Sequence, residues 1–341
     1  MCVADWAHYT LDFKFEARTS RERMRQKDTY FVRIRHDDRT AYGECALFRG
    51  LSADDIPDYE EYLTHYCRHL DQLTECPYSS IRFGLETALF NLKHPTAEEW
   101  KDCDGIPING LVWMGDKATM AERIENKLAE GFKVLKLKIG GIDFCDEVDL
   151  LDKVRQRFAS DVLEIRLDAN GSFSPANAMA RLERLARYDI HSIEQPVAAG
   201  QHDVMRRLCA ESPIPIALDE ELIGCSTRAR MDCLLDAIRP AYIILKPALC
   251  GGLSGAVQWA DAAEAAGIPY WFTSALESNI GLDAIARLTL RRGIAMPQGL
   301  GTGELYHNNI PSPLYREGAY LKFDSVKKWE MPQLQWNTPI F

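Results

Sequence analysis

Five short apolar segments in the middle of this 341-residue chain each end on a charged side chain, in the order Lys, Asp, Glu, Asp, Lys. They are Val134–Lys138, Leu163–Asp168, Ser192–Glu194, Ile214–Asp219 and Tyr242–Lys246. Asp168, Glu194 and Asp219 offer hard oxygen donors, and carboxylates gathered on one pocket repel one another unless a cation offsets them. Oxygen-only donors favour Mg2+, with Mn2+ as a substitute, over Zn2+, which wants His or Cys. No His stands at these ends, although His191 is close by. Lys136 and Lys138 are two apart, so on a strand they leave by the same face. An amine beside a second cation has its pKa pushed down and becomes available as a base. Lys138, nearer the segment end, is the candidate base, Lys136 its tuning neighbour, and Lys246 a second amine on the opposite side. A substrate held between amines with a metal at one end suits proton abstraction next to a carboxylate, where the metal stabilises the enediolate. Asn170, two residues after Asp168, and Glu220, next to Asp219, are candidates to support or extend the ligand set.

These charges can meet only if the chain returns each segment end to one place. Successive ends are spaced by roughly 25–30 residues, enough for one strand, one helix and two short loops. That is the period of a β/α barrel, in which residues at the C-terminal ends of parallel strands share one mouth. A buried strand can also stop at a charge because the chain reaches water there, and for any one Asp or Lys that reading suffices. The ordered set of five is what argues for a site.

The remaining pattern supplies the elements. From Ile106 onward strands alternate with helices expected over 119–130, 145–158, 174–188, from 206 to 211, 227–238, 253–266 and 282–290. Ile106–Val112 supplies the first strand and Pro297–Leu300 a short last one, so the barrel is complete or one helix short. The first hundred residues differ, with strands at Thr10–Phe15, Thr29–Arg35 and Ala41–Cys45 followed by helices over 55–73 and 79–92. The expected class is α/β: an α+β capping domain over 1–104, a (β/α) barrel over 105–303, and a tail over 304–341 returning to the cap.

A formal charge of −10 argues against nucleic acid or an anionic membrane surface as partner and leaves room for a small anionic substrate, since lysines and a metal can dominate one pocket. No segment approaches the about 20 apolar residues needed to span a bilayer, and no basic leader precedes an apolar run. Ten cysteines include no Cys-x-x-Cys pair, and several sit in apolar patterns as small core residues do. A soluble, cytoplasmic protein is expected, with the oligomeric state open. His65 and His69, four apart on a helix, read as a solvated face, and Gly251-Gly252-Leu253 reads as a tight turn rather than a phosphate cradle.

With these residues in hand, the chain resembles the enolase superfamily, and its muconate-lactonizing-enzyme subgroup in particular. That subgroup carries Lys-x-Lys on the second barrel strand, Asp, Glu and Asp on the third to fifth, and Lys on the sixth. The motifs run the length of the chain: Gly43-Glu44-Cys45, Lys136-Leu137-Lys138-Ile139-Gly140, Arg166-Leu167-Asp168-Ala169-Asn170, Ile193-Glu194-Gln195-Pro196, Leu218-Asp219-Glu220 and Leu245-Lys246-Pro247. Within the subgroup, Leu245-Lys246-Pro247-Ala248, Ser274–Gly281 and Gly301-Thr302-Gly303 are similar to the o-succinylbenzoate synthase family. The resemblance implies Mg-dependent syn-dehydration of a succinyl-substituted hydroxycyclohexadiene carboxylate in menaquinone biosynthesis. Lys138 would remove the α-proton and help the hydroxyl leave, and Lys246 would set positive charge against the enolate face. Racemases of N-succinyl amino acids and dipeptide epimerases use the same five residues, and that alternative stays open. Substrate choice would lie in cap loops at 19–23 and 47–51 and at the last strand ends. Phe48 and its neighbouring glycine suggest a loop closing over an apolar ring. Arg21, Arg23 or Arg49 could meet a carboxylate, or be solvated as loop arginines usually are. Ser274 and Ser278 are candidate carboxylate donors, Gly301 and Thr302 candidate substrate contacts, and Arg166 a neighbour of the metal ligands.

Overall fold

Alternation of apolar and polar residues in the first 45 positions gives an antiparallel sheet in which β1 (Val3–Arg18) pairs with β2 (Arg23–His36), and β2 with β3 (Arg39–Cys45). The computed structural model describes residues 3–18, 23–95 and 97–337; Arg21 lies outside them. Helices α1 (Tyr59–Arg68) and α2 (Ser79–Lys93) cover one face of this sheet with an apolar core of Trp6, Tyr30, Val32, Leu63, Ile81 and Leu85. The helix expected over 55–73 is two pieces, because α1 stops at Arg68 and the chain continues as a tighter turn over Leu70–Glu75. Gly43 on β3 and Gly84 on α2 let strand and helix touch: a Cβ on Gly43 would stand 1.9 Å from the Gly84 carbonyl oxygen.

The second unit is a curled parallel sheet in the order β11-β10-β9-β8-β7-β6-β5. Its strands are β5 (Gly110–Val112), β6 (Val134–Lys138), β7 (Glu164–Asp168), β8 (Ser192–Glu194), β9 (Ile216–Leu218), β10 (Tyr242–Leu245) and β11 (Tyr270–Phe272). Gln298 bridges to Ile108 on one edge and Gly299 to Thr273 on the other, both parallel, so the segment expected as a last strand joins the sheet's ends. Helices α3 (Lys117–Ala129), α4 (Phe144–Arg157), α5 (Ala178–Leu185), α6 (His202–Glu211), α7 (Arg228–Ile238), α8 (Gly252–Ala265) and α9 (Asn279–Arg292) connect successive strands. Only a short turn over Gly301–Glu304 follows the closing segment, which accounts for the missing last helix. The first-strand segment is divided: β4 (Ile106–Pro107) instead pairs with β13 (Tyr320–Phe323), itself paired with β12 (Leu314–Glu317). The tail touches the cap on both sides of that hairpin, His307 N donating to Asp12 O and Asn337 N to Trp6 O. No helix among the described residues is long and apolar enough to cross a membrane.

Two cap carboxylates dock on barrel helix N-termini, where unpaired backbone N–H groups favour an anion. Fully buried Glu44 accepts from Ser278 N (3.0 Å), Ser278 Oγ (2.6 Å) and Gly281 N (3.0 Å) at the start of α9, and from Thr29 Oγ1 (2.9 Å). Glu86 accepts from Ser254 N (2.9 Å) and Ser254 Oγ (2.5 Å) at the start of α8, so a cap side chain fills the cradle beside Gly251-Gly252. Glu44→Ala is expected to cost about 3 kcal/mol or more by stranding buried donors, and Glu86→Ala only about 1 kcal/mol. Urea unfolding of the two variants measures this; equal losses would contradict the assigned difference in burial.

Candidate active site

The parallel register sets the site. Lys138 lies level with Asp168 and Asp168 level with Glu194, on three adjacent strands. Asp219 and Lys246 directly follow β9 and β10. Period-two alternation on β6 sends Leu135 and Leu137 into the layer beneath the helices while Lys136 and Lys138 point into the barrel. Lys136 Nζ contacts Glu194 Oε2 (2.5 Å) and Asp168 Oδ2 (3.0 Å). Lys138 Nζ donates to Asp168 Oδ2 (3.0 Å) and Asn170 Oδ1 (2.9 Å) and stands 5.9 Å from the Trp113 ring centre. Lys246 Nζ donates to Asp219 Oδ2. Asn170, in a left-handed conformation, also donates to Glu220 Oε1 (3.2 Å) and so ties two strand ends together. Gln195 does the same one strand on, its Oε1 accepting from Asp219 N and Glu221 N and its Nε2 donating to Glu221 Oε2.

Burial opposes every charge here, and the balance differs between groups. Burial works against the Lys136 ammonium, but Asp168, Glu194 and Asp219 outweigh it and hold its pKa above the ordinary lysine value. Lys246 is likewise raised, burial being outweighed chiefly by Asp219 and Glu220. Carboxylates surround these two lysines more closely than cations do. Asp168 is held well below the carboxylate range, burial being overcome by Lys136, Lys138 and Lys246. Glu194 goes the other way, to about 7, because burial and then the repulsion of Asp168 and Asp219 outweigh Lys136.

Among the described residues no three acidic, His or Cys side chains close on one point as a finished ion cage. Amines stand between the carboxylates instead. The donor set still fits a divalent cation: three hard oxygen groups stand at the ends of neighbouring strands, and Glu194 Oε1 is buried with no hydrogen-bond partner. Excess negative charge at Glu194 and an unused lone pair are what such an ion would satisfy.

Above these groups lies a cavity of about 310 Å3. Of the expected residues it brings together Lys136, Lys138, Asp168, Asn170, Glu220, Lys246, Ser274, Gly301, Thr302 and, from the cap, Phe48. Glu194 and Asp219 are buried around it. Four expected residues lie elsewhere. Ser278 is spent on Glu44 at the start of α9. Arg49 turns outward to Asp55 Oδ1 (2.7 Å). Arg166 lies one layer deeper, paired with Glu164 and Pro297 O and stacked 4.5 Å over Trp271. Arg23, from the other cap loop, faces solvent near Glu16. Sequence reasoning missed Trp113, Leu111, Leu249 and Leu276 of the apolar wall, whose remaining leucine, Leu51, belongs to the expected cap loop at 47–51. Trp113 had a usable signal, since it follows β5 at a strand's C-terminal end as Lys138 and Asp168 close theirs.

Residues 119–315 match the enolase C-terminal domain-like family. Across 91% of its own length and 96% of the relative's, the chain is 46% identical to the o-succinylbenzoate synthase of Desulfotalea psychrophila. The chain belongs to the enolase superfamily. Superposed on the crystal structure of MenC from Desulfotalea psychrophila, this enolase-superfamily chain gives a TM-score of 0.81 at 42% identity, covering 94% of this chain and 99% of that one. It is also 31% identical to the L-Ala-D/L-Glu epimerase of Bacillus subtilis over 76% of each chain. Enolase-superfamily sites pair a lysine or histidine base with Mg2+, which the lysines and carboxylates of this barrel mouth match in kind.

Proposed function

We propose that this chain is an o-succinylbenzoate synthase, dehydrating 2-succinyl-6-hydroxy-2,4-cyclohexadiene-1-carboxylate to 2-succinylbenzoate in menaquinone biosynthesis. The observation that carries the reading is the 46% identity to an o-succinylbenzoate synthase over nearly the whole of both chains. The site agrees with it. Asp168, Glu194 and Asp219 are the residues that would hold Mg2+, which supplies Lewis-acid charge beside a substrate carboxylate when bound. Lys138 Nζ takes the proton α to the carboxylate, and the C–H electron pair becomes part of the ring. The same amine then returns that proton to the departing hydroxyl, so the C–O bond breaks, water leaves and the ring becomes aromatic. One amine serving both events on one face accounts for a syn course. Lys246, four strands away, sets a fixed positive charge against the opposite face. Trp113, Leu111, Phe48 and Leu51 enclose the apolar ring, and Ser274, Gly301 and Thr302 receive an anionic group. Lys136 and Asn170 hold the ligands and base in place. The proposal includes a cytoplasmic location, in keeping with the free thiols of the described cysteines.

A second reading, epimerisation of an acylated amino acid or dipeptide, has one observation in its favour: the 31% identity to an L-Ala-D/L-Glu epimerase. In that reaction Lys246 would deliver a proton to the face opposite Lys138. Side-by-side kcat/KM values for the cyclohexadiene, N-succinyl amino acids and dipeptides separate the two. The expected outcome is a preference for the cyclohexadiene by at least about 100-fold, a modest share of the discrimination available to a site built around one polar pattern. A reversed preference would overturn the lyase reading.

A further inference from the structure

Behind the pocket wall lies a buried polar cluster that the dehydration chemistry leaves unused. Thr302 and Ser274 line the pocket. Thr302 Oγ1 donates to Ser274 Oγ (2.8 Å), and Ser274 Oγ donates to Glu277 Oε2 (2.5 Å) while accepting from Leu276 N (3.0 Å). Both hydroxyl protons thus point away from the cavity, toward Glu277, and the hydroxyls offer the cavity lone pairs alone. Such a wall repels a carboxylate. Glu277 is fully buried and its Oε1 has no hydrogen-bond partner.

We propose that Glu277 is a positioning residue that sets the direction of this hydroxyl chain, so that with a proton on Glu277 the wall donates to an anionic substrate group and without one it does not. With that proton, Glu277 donates to Ser274 Oγ, Ser274 to Thr302 Oγ1, and Thr302 into the cavity. Ser274 then still accepts from Leu276 N, and no heavy atom needs to move. Only the order of donors reverses. The inference rests on the substrate carrying carboxylates, as the proposed dehydration requires.

The surroundings favour a proton there. Glu277 faces Lys27 from β2 and Glu44 from β3, with the Tyr306 hydroxyl nearby, committed to Leu276 O (2.8 Å). Asp28 adds a more distant negative charge beside Lys27. Glu44 is already held as a docking carboxylate by α9 and Thr29. One buried amine therefore faces two buried carboxyls, and the set is neutral when Glu277 carries a proton. Burial, followed by Glu44, pushes the Glu277 carboxyl up to about 7, against the pull of Ser274 and Lys27. Lys27 is pushed down by burial and held up by Glu44 and Glu277. The sign follows: the protonated, donating form prevails below about pH 7 and is lost above it.

Calorimetric titration of the Mg-loaded protein with the product 2-succinylbenzoate tests this without turnover. Wild-type affinity is expected to weaken about tenfold as pH rises through the Glu277 transition, the scale of one charge-assisted hydrogen bond. Glu277→Gln, whose amide donates to Ser274 at any pH, should keep the tight, low-pH affinity throughout. Thr302→Val should bind at the weak level throughout, and it changes only a pocket-lining group should the buried variant not fold. In steady-state kinetics the pH effect should fall on KM rather than kcat. A protonated-carboxyl band at low pH in the infrared spectrum should disappear in Glu277→Gln. Unchanged pH dependence in either variant, or a flat wild-type profile, would overturn the inference while leaving the dehydration intact. Failure of the wild type to bind the product at any pH would remove the substrate assignment and this inference with it.

Discussion

Lys138→Ala is expected to lower turnover of the cyclohexadiene by about 10,000-fold, the upper end of what one positioned acid–base group contributes. The upper end applies because the same amine takes the α-proton and returns it to the hydroxyl. About 5 kcal/mol of barrier would thus rest on one nitrogen. That nitrogen is placed by Asp168 Oδ2 and Asn170 Oδ1 and capped by the Trp113 ring, so no nearby group can take its position without rebuilding the strand end. Lys136, the next amine, is committed to Glu194 and Asp168 below it, and its raised pKa disfavours the neutral form a base needs. Steady-state assay together with calorimetric Mg2+ titration checks the prediction. Lost turnover with near-normal metal affinity is expected; turnover within tenfold of wild type would move the base to another residue.

Glu194→Gln should act differently. Replacing an anionic donor by an amide removes a charge and a lone pair from the ligand set, and metal affinity should fall by at least about 100-fold, the loss seen when even an outer partner of a metal ligand is removed. Turnover at fixed Mg2+ should fall with it and recover in part when Mg2+ is raised. The fold should survive, because the Gln oxygen can still accept from Lys136 and the repulsion with Asp168 and Asp219 that raises the Glu194 pKa is relieved. Thermal unfolding with and without Mg2+ separates binding from chemistry: the wild type should gain stability from the ion by mass action and the variant should gain little. An equal gain in both would place the ion elsewhere.

The barrel was legible because its strands are short apolar runs that end on charges at a steady interval, and the period determines which ends meet. Both motifs of β6, the paired amines and the alternating leucines, read directly into inward and outward faces. What could not be read was where a polar side chain finds its partner across domains. Ser278 looks like a pocket donor until Glu44 of the cap takes both its N–H and its hydroxyl. Arg49 looks like a carboxylate clamp until Asp55, six residues on, claims it. Local signals misled in smaller ways. Ser174-Pro175 reads as a helix start, yet Ser174 N donates to Asn177 Oδ1 in a turn and α5 begins only at Ala178. The apolar wall went unread since Trp113, Leu111 and Leu276 look like core residues; packing places Trp113 and Leu276 in a cluster with Phe13 and Leu305 while leaving their edges on the cavity.

The most direct measurement is the loss of absorbance of 2-succinyl-6-hydroxy-2,4-cyclohexadiene-1-carboxylate on mixing with the purified protein, first in Mg2+ and then in excess chelator. Rapid conversion to 2-succinylbenzoate in Mg2+, abolished by chelator and restored by added Mg2+, is the predicted result. Equal rates in both conditions would contradict a role for Asp168, Glu194 and Asp219 as metal ligands, and no conversion in either would contradict the assignment of the activity itself.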